Sequence, residues 1–112
     1  MKKIEAIVRP SKLDEVKDAL AAAGVSGMTI TEVRGFGNQK GFMDHFRVSE
    51  VYVNLLPKIQ IKMVVHDEDV ARVVEALIAA ARTGEIGDGK VFVSDIAEAY
   101  RIRTGERGEK AI

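Results

Sequence analysis

Ile59-Gln60-Ile61-Lys62-Met63-Val64-Val65-His66-Asp67-Glu68-Asp69-Val70-Ala71-Arg72-Val73-Val74-Glu75-Ala76-Leu77-Ile78-Ala79-Ala80-Ala81 changes its hydrophobic period once, at His66. Before that point Ile59, Ile61, Met63 and Val65 alternate with Gln60, Lys62 and Val64, the period of a strand with one buried face. Beyond it Val70, Val73, Val74, Leu77, Ile78 and Ala81 fall at helical spacing and make a single apolar stripe. Asp67 is placed to cap the helix. Gly84, Gly87 and Gly89 break it, and Val91-Phe92-Val93 begins another strand.

The same order stands earlier in the chain. Ile4, Ala6 and Val8 share one face of a strand, with Lys3, Glu5 and Ile7 on the other, and Pro10 ends it. Ser11-Lys12-Leu13-Asp14 offers a capping hydroxyl followed three residues later by an acid. Leu13, Val16 and Leu20 then keep helical spacing as far as Gly24. Met28 to Phe36 is rich in Thr, Ile and Val and reads as a strand. Strand-helix-strand therefore occurs twice within 112 residues. That order predicts an α+β, ferredoxin-like double βαβ sandwich, with a four-stranded antiparallel sheet and two helices on one face. Its crossovers should be right-handed. Residues 1–112 read as one domain, because this length supports one modest core.

Composition narrows the function. Lys plus Arg and Asp plus Glu each number 17, giving a formal charge of zero, which weakens the case for phosphate-driven nucleic-acid binding. A base-stacking sheet is also poorly supported by 4 Phe and 2 Tyr, since Phe36, Phe42, Phe46 and Tyr52 cluster in or beside one loop. The absence of cysteine excludes disulfides, thiolate metal sites and a thiol nucleophile, and fits a reducing cytosol. Charges at Lys2, Lys3 and Glu5 stand where a signal peptide needs an apolar run. No stretch is apolar for the length of a membrane span.

Three segments lie outside the scaffold. Residues 38–56 exceed the usual connection of about 12–15 residues, a length that marks a functional or disordered loop. It is preceded by Gly35-Phe36-Gly37 and carries Gln39-Lys40-Gly41, where glycines permit close backbone approach and Lys40 adds charge. Residues 82–90 form a second glycine-rich loop ending in Lys90. Its spacing is not that of a P-loop, and no Ser or Thr follows the lysine. Residues 97–112 contain Arg101-Ile102-Arg103, which as an extended segment puts two guanidinium groups on one side, suited to phosphate oxygens. Alone, the first segment reads equally as a mobile loop, the second is better explained as a helix end with a tight turn, and the third also reads as a solvated tail. Together they hold the parts needed to grip a polyphosphate. Asp44, His45 and His66 do not make a ligand spacing. No nucleophile–base pair is evident, so binding is favoured over turnover. Arg82-Thr83-Gly84-Glu85 recurs as Arg103-Thr104-Gly105-Glu106, which reads as shared turn chemistry.

Thr29-Ile30-Thr31-Glu32-Val33-Arg34-Gly35-Phe36-Gly37 with Gln39-Lys40-Gly41, Leu56-Pro57-Lys58, residues 82–93, and Arg101 to Gly108 closely resemble the motifs of P-II nitrogen signal-transduction proteins, in the same order. The resemblance runs from Lys2 to Ile112 and is weakest between Phe42 and Asn54. It implies a cytoplasmic homotrimer with ATP or ADP in clefts between subunits. Ile7, Thr29 and Val64 would lie by the adenine. Gly35, Phe36, Gly37, Asn38 and Gln39 would contact the nucleotide. Gly87, Asp88, Gly89 and Lys90 would hold phosphates, with Arg101 and Arg103 reaching in from a neighbour. Gln39, Lys40, Gly41 and Lys58 would bind 2-oxoglutarate, with Gln39 also on Mg2+. The implied partner is an ammonium transporter or a nitrogen enzyme docked on the long loop, with no nucleic acid and no membrane insertion.

Two departures stand out. The modified loop motif of the family ends in tyrosine, whereas this chain reads Phe46-Arg47-Val48-Ser49-Glu50-Val51. Uridylylation is therefore not expected, and Ser49 becomes the candidate modification position. Asn38 and Lys62 replace a basic residue and a glutamate common in relatives, which predicts an altered ATP/ADP preference. A P-II paralogue regulating a metal-efflux or carbon-uptake system is the alternative reading.

Overall fold

The computed structural model describes residues 1–36 and 55–112. In chain order it forms β1 (Lys2–Val8), α1 (Leu13–Ala22), β2 (Thr29–Gly35), β3 (Leu56–Val65), α2 (Val70–Ala81) and β4 (Lys90–Asp95). The strands make one sheet in the order β2-β3-β1-β4, with every neighbouring pair antiparallel. This is the expected ferredoxin-like α+β fold. The two βαβ units interleave, placing β1 and β3 at the centre.

The centre is where alternation matters most. Ile4, Ala6 and Val8 of β1 join Ile59, Ile61, Met63 and Val65 of β3 in one buried cluster. Val16 and Leu20 of α1, and Val73, Leu77 and Ala81 of α2, complete it. Burial of each such Val, Ile or Leu contributes about 1.5–3 kcal/mol, so this single layer dominates the stability of the fold. Both helices thus cover one face of the sheet. The other face carries Lys3, Glu5 and Ile7, and Lys58, Gln60, Lys62 and Val64. In register with them stand Thr29 opposite Lys62, Lys90 opposite Ile7, and Phe92 opposite Glu5.

The helix starts differ from expectation. Neither Ser11 nor Asp67 caps a helix through its side chain. Pro10–Lys12 instead forms a 3-10 turn, and α1 follows at Leu13. Proline pre-sets φ for such a turn, so the chain turns as soon as extended Arg9 is passed. Asp67–Asp69 makes a similar turn before α2. The Asp67 carboxylate accepts from the Met1 ammonium at 2.8 Å, a partner supplied by the packing of β1 beside β3.

The C-terminal segment is also not extended at Arg101 to Arg103. The Gly105 N–H donates to the Arg101 carbonyl at 2.7 Å, and the Arg101 N–H to the Glu106 carbonyl at 2.8 Å. Gly105 sits at φ +73°, a value that lets the chain reverse there. The short repeat does share its turn chemistry. Thr83 Oγ1 accepts the Glu85 N–H at 3.1 Å, and Thr104 Oγ1 accepts the Glu106 N–H at 3.2 Å. A 3-10 turn at Gly108–Ala111 closes the segment, where the Glu109 carboxylate bonds His66 Nδ1.

Candidate functional site

Antiparallel pairing of β1 with β4 brings the glycine loop at 82–90 to the end of β1 and beside the start of β3. A cleft of about 530 Å³ opens there on the uncovered side of the sheet. Among the residues expected at the site, Ile7, Gly35, Phe36, Lys58, Gly87, Asp88, Gly89 and Lys90 line it. Glu85, Ile86 and Phe92 complete the lining and were not legible as site residues. Ile86 and Phe92 carried no local signal: each is one apolar residue in a pattern that packing alone would explain.

The loop is shaped by its own carboxylate. Asp88 Oδ2 accepts the N–H groups of Thr83 at 2.8 Å and Gly84 at 2.9 Å. Asp88 Oδ1 accepts from Arg9 Nε at 3.0 Å and from the Thr83 hydroxyl. These donors, the Thr83 hydroxyl foremost, hold the Asp88 carboxyl far below the usual carboxylate range. The carboxylate therefore stays ionised, with the Arg9 guanidinium at 3.0 Å as its counter-charge. Gly84, Gly87 and Gly89 sit at φ +91°, +104° and +102°, so the loop is written in a backbone conformation that other residues resist.

Lys58 enters the same cleft from β3, and its Nζ donates to the Gly87 carbonyl at 2.7 Å. Burial, followed by the Arg9 charge, pushes its ammonium below the usual lysine value, with Asp88 acting in the opposite sense. Lys58 and Lys90 therefore face one cleft with a glycine-rich wall between them. A full negative charge placed there would gain two ammonium partners. The site suits a phosphate chain or a carboxylate, with Ile7, Phe36 and Phe92 as its apolar side.

Other expected residues lie elsewhere. Thr29 and Val64 share the uncovered sheet face but stand toward its opposite end, Val64 in register with Lys3. Arg101 and Arg103 follow the far end of β4, where the Ile96 N–H meets the Met1 carbonyl. With seven residues in β1, that end is about 20 Å from the cleft at about 3.4 Å per residue. Gly37, Asn38, Gln39, Lys40, Gly41 and Ser49 lie outside the described residues. So do the proposed loop, apart from its last residues, and Asp44 and His45. Among the described residues no group of three His, Cys, Asp or Glu could hold a metal ion.

The sequence model of the family described as "Nitrogen regulatory protein P-II" matches residues 1–106. The chain belongs to the P-II family of nitrogen regulatory proteins. It is 57% identical to the nitrogen regulatory protein P-II of Microchaete diplosiphon, over all of both chains. It is 56% identical to that of Rhodobacter capsulatus, again over all of both. To nitrogen regulatory protein P-II 2 of Methanothermobacter thermautotrophicus it is 56% identical, over all of this chain and 97% of the relative. As a P-II chain it is a nitrogen signal-transduction regulator. No helix among its described residues is long and apolar enough to cross a membrane.

Proposed function

We propose that this P-II chain senses an adenine nucleotide and 2-oxoglutarate together and passes the result to a nitrogen-assimilation partner. The observation that carries the reading is the Lys58 ammonium on the Gly87 carbonyl. It places the cation suited to a keto-acid carboxylate against the loop suited to phosphate, within one cleft. ATP or ADP would lie with its phosphates along Gly87, Gly89 and Lys90 and its base over Ile7, Thr29 and Val64. Magnesium bound to the phosphates would supply a Lewis acid for the keto-acid oxygens, with Gln39 as its protein ligand. The partner, an ammonium transporter or a nitrogen enzyme, would read the outcome at residues 38–56.

A cytoplasmic homotrimer belongs to the same proposal. Arg101 and Arg103 follow the end of β4 that lies away from the cleft, and a neighbouring copy would bring them to Lys90. Phe92 at 53% and Ile102 at 101% exposure give such a copy apolar surface to cover. Light scattering after gel filtration should return a mass of about three chains.

Calorimetric titration tests the sensing. 2-Oxoglutarate should bind at least about tenfold more tightly in the presence of ATP and magnesium than alone. Lys58→Met should weaken 2-oxoglutarate by a factor of ten or more, the worth of one charge-assisted hydrogen bond, about 1.5–3 kcal/mol. Equal 2-oxoglutarate affinity with and without nucleotide would remove the claim.

A further inference from the structure

The last polar side chain of β1's extension is assigned to no ligand, yet it makes two bonds to the glycine loop. Arg9 Nη2 donates to the Ile86 carbonyl at 2.9 Å, and Arg9 Nε donates to Asp88 Oδ1 at 3.0 Å. Both partners lie within one three-residue span of the loop, and the Arg9 and Asp88 side chains are each only 23% exposed. Between them stands the Gly87 carbonyl, held by Lys58. Two cations thus grip two successive carbonyls of one turn.

The two grips are not equivalent. Arg9 is anchored by a charged partner and a fork geometry that a carbonyl and a carboxylate satisfy together. Lys58 has only a neutral carbonyl, in a partly desolvated position beside a second positive charge. A ligand carboxylate is a stronger acceptor than a carbonyl, so it would draw Lys58 away while Arg9 stays. The Gly87 carbonyl and the Asp88 N–H belong to one planar peptide. Freeing that carbonyl lets the peptide turn about Gly87, which at φ +104° has no side chain to oppose it. The Asp88 N–H, in the loop proposed to hold phosphate, is then re-aimed.

We propose that Arg9 is a positioning residue that couples the two ligand subsites: it holds the Ile86–Asp88 turn as a pivot while Lys58 exchanges the Gly87 carbonyl for a carboxylate. Occupancy by the keto acid is thereby read at the phosphate loop through a single peptide unit. This inference rests on the nucleotide and 2-oxoglutarate reading given above. It adds a residue and a route of coupling to that reading.

The readout is a ratio. The affinity of magnesium ATP is measured by calorimetry with and without saturating 2-oxoglutarate, for the unaltered chain, Arg9→Ala and Arg9→Lys. In the unaltered chain the two affinities should differ about tenfold, a normal size for coupling between sites. In Arg9→Ala the ratio should fall at least about threefold below that of the unaltered chain, the magnesium contact keeping the remainder. Arg9→Lys keeps the charge but not the fork, and its ratio should lie between. A merely structural role would weaken ATP equally in both conditions and leave the ratio unchanged, which would overturn the proposal. Should Arg9→Ala fail to fold, Arg9→Lys decides by the same ratio. If the unaltered chain shows no difference between the two conditions, the sensing reading falls and this inference with it. If it shows the difference and both variants retain it, the inference alone falls.

Discussion

Gly89 and Gly84 have nearly the same backbone and opposite surroundings. A Cβ on Gly89 would meet the Ile7 carbonyl oxygen at 1.7 Å, whereas one on Gly84 would meet nothing within 4 Å. Both sit at positive φ, which costs a non-glycine residue about 1–2 kcal/mol. Gly84→Ala should therefore lower stability by about that amount in urea unfolding. Gly89→Ala should cost more, above about 3 kcal/mol, because backbone of β1 must move as well. Similar losses at the two positions would show that the close approach of the loop to β1 contributes nothing. At the same scale, Asp88 changes its meaning. An acid among residues proposed to hold phosphate is explained once its oxygens are seen to be occupied by Thr83, Gly84 and Arg9.

Among the elements, α2 shows how narrow the buried stripe is. Leu77 is 1% exposed and Ile78, the next residue, is 37% exposed. A turn of about 100° per residue separates them. Leu77→Ala should cost about 2–5 kcal/mol, the range for truncating a buried leucine. Ile78→Ala should cost the isolated chain about 1 kcal/mol or less, in proportion to the smaller area it buries. Thermal and urea unfolding of the two variants check the difference. Both helices begin in 3-10 turns without side-chain caps, so their stability comes from this stripe more than from their ends.

Across the whole molecule, the two ends of the described chain meet. The Met1 ammonium lies 3.5 Å from Glu109 and 2.8 Å from Asp67, and Glu109 also bonds His66. The Glu109 hydrogen bond raises the His66 imidazole above its ordinary value, with Glu68 and Asp69 adding smaller effects in the same sense. The His66 bond lowers the Glu109 carboxyl below its own. A raised histidine contributes stability that is complete below its unfolded value and is lost as pH rises through the folded one. A lowered carboxylate contributes stability that is present above its unfolded value and lost as pH falls through the folded one. The tie is therefore strongest between the depressed Glu109 and the raised His66 values. NMR amide shifts of Gly108–Ala111 should change at both edges of that window. In His66→Gln the upper change should vanish, and persistence of it would assign it to another group.

The amino-acid sequence by itself determined the two strand-helix-strand units, the faces of β1, β3 and α2, and the glycine loop ending in Lys90. These are local properties: a hydrophobic period needs only a few neighbouring residues to declare itself, and glycine spacing is visible at once. Only the tertiary structure decided what Arg9, Lys58, Asp67 and Arg101 do. Arg9 finds Asp88 across 79 positions and Lys58 finds Gly87 across 29. Those partners follow from the register of β1 with β4 and β3, to which a charged residue at a strand end gives no clue. Asp67 could have served its own helix as well as the Met1 ammonium, and Arg101 could have stayed extended. Packing chose between arrangements of similar local cost, because a distant partner adds a hydrogen bond that the local alternative does not replace.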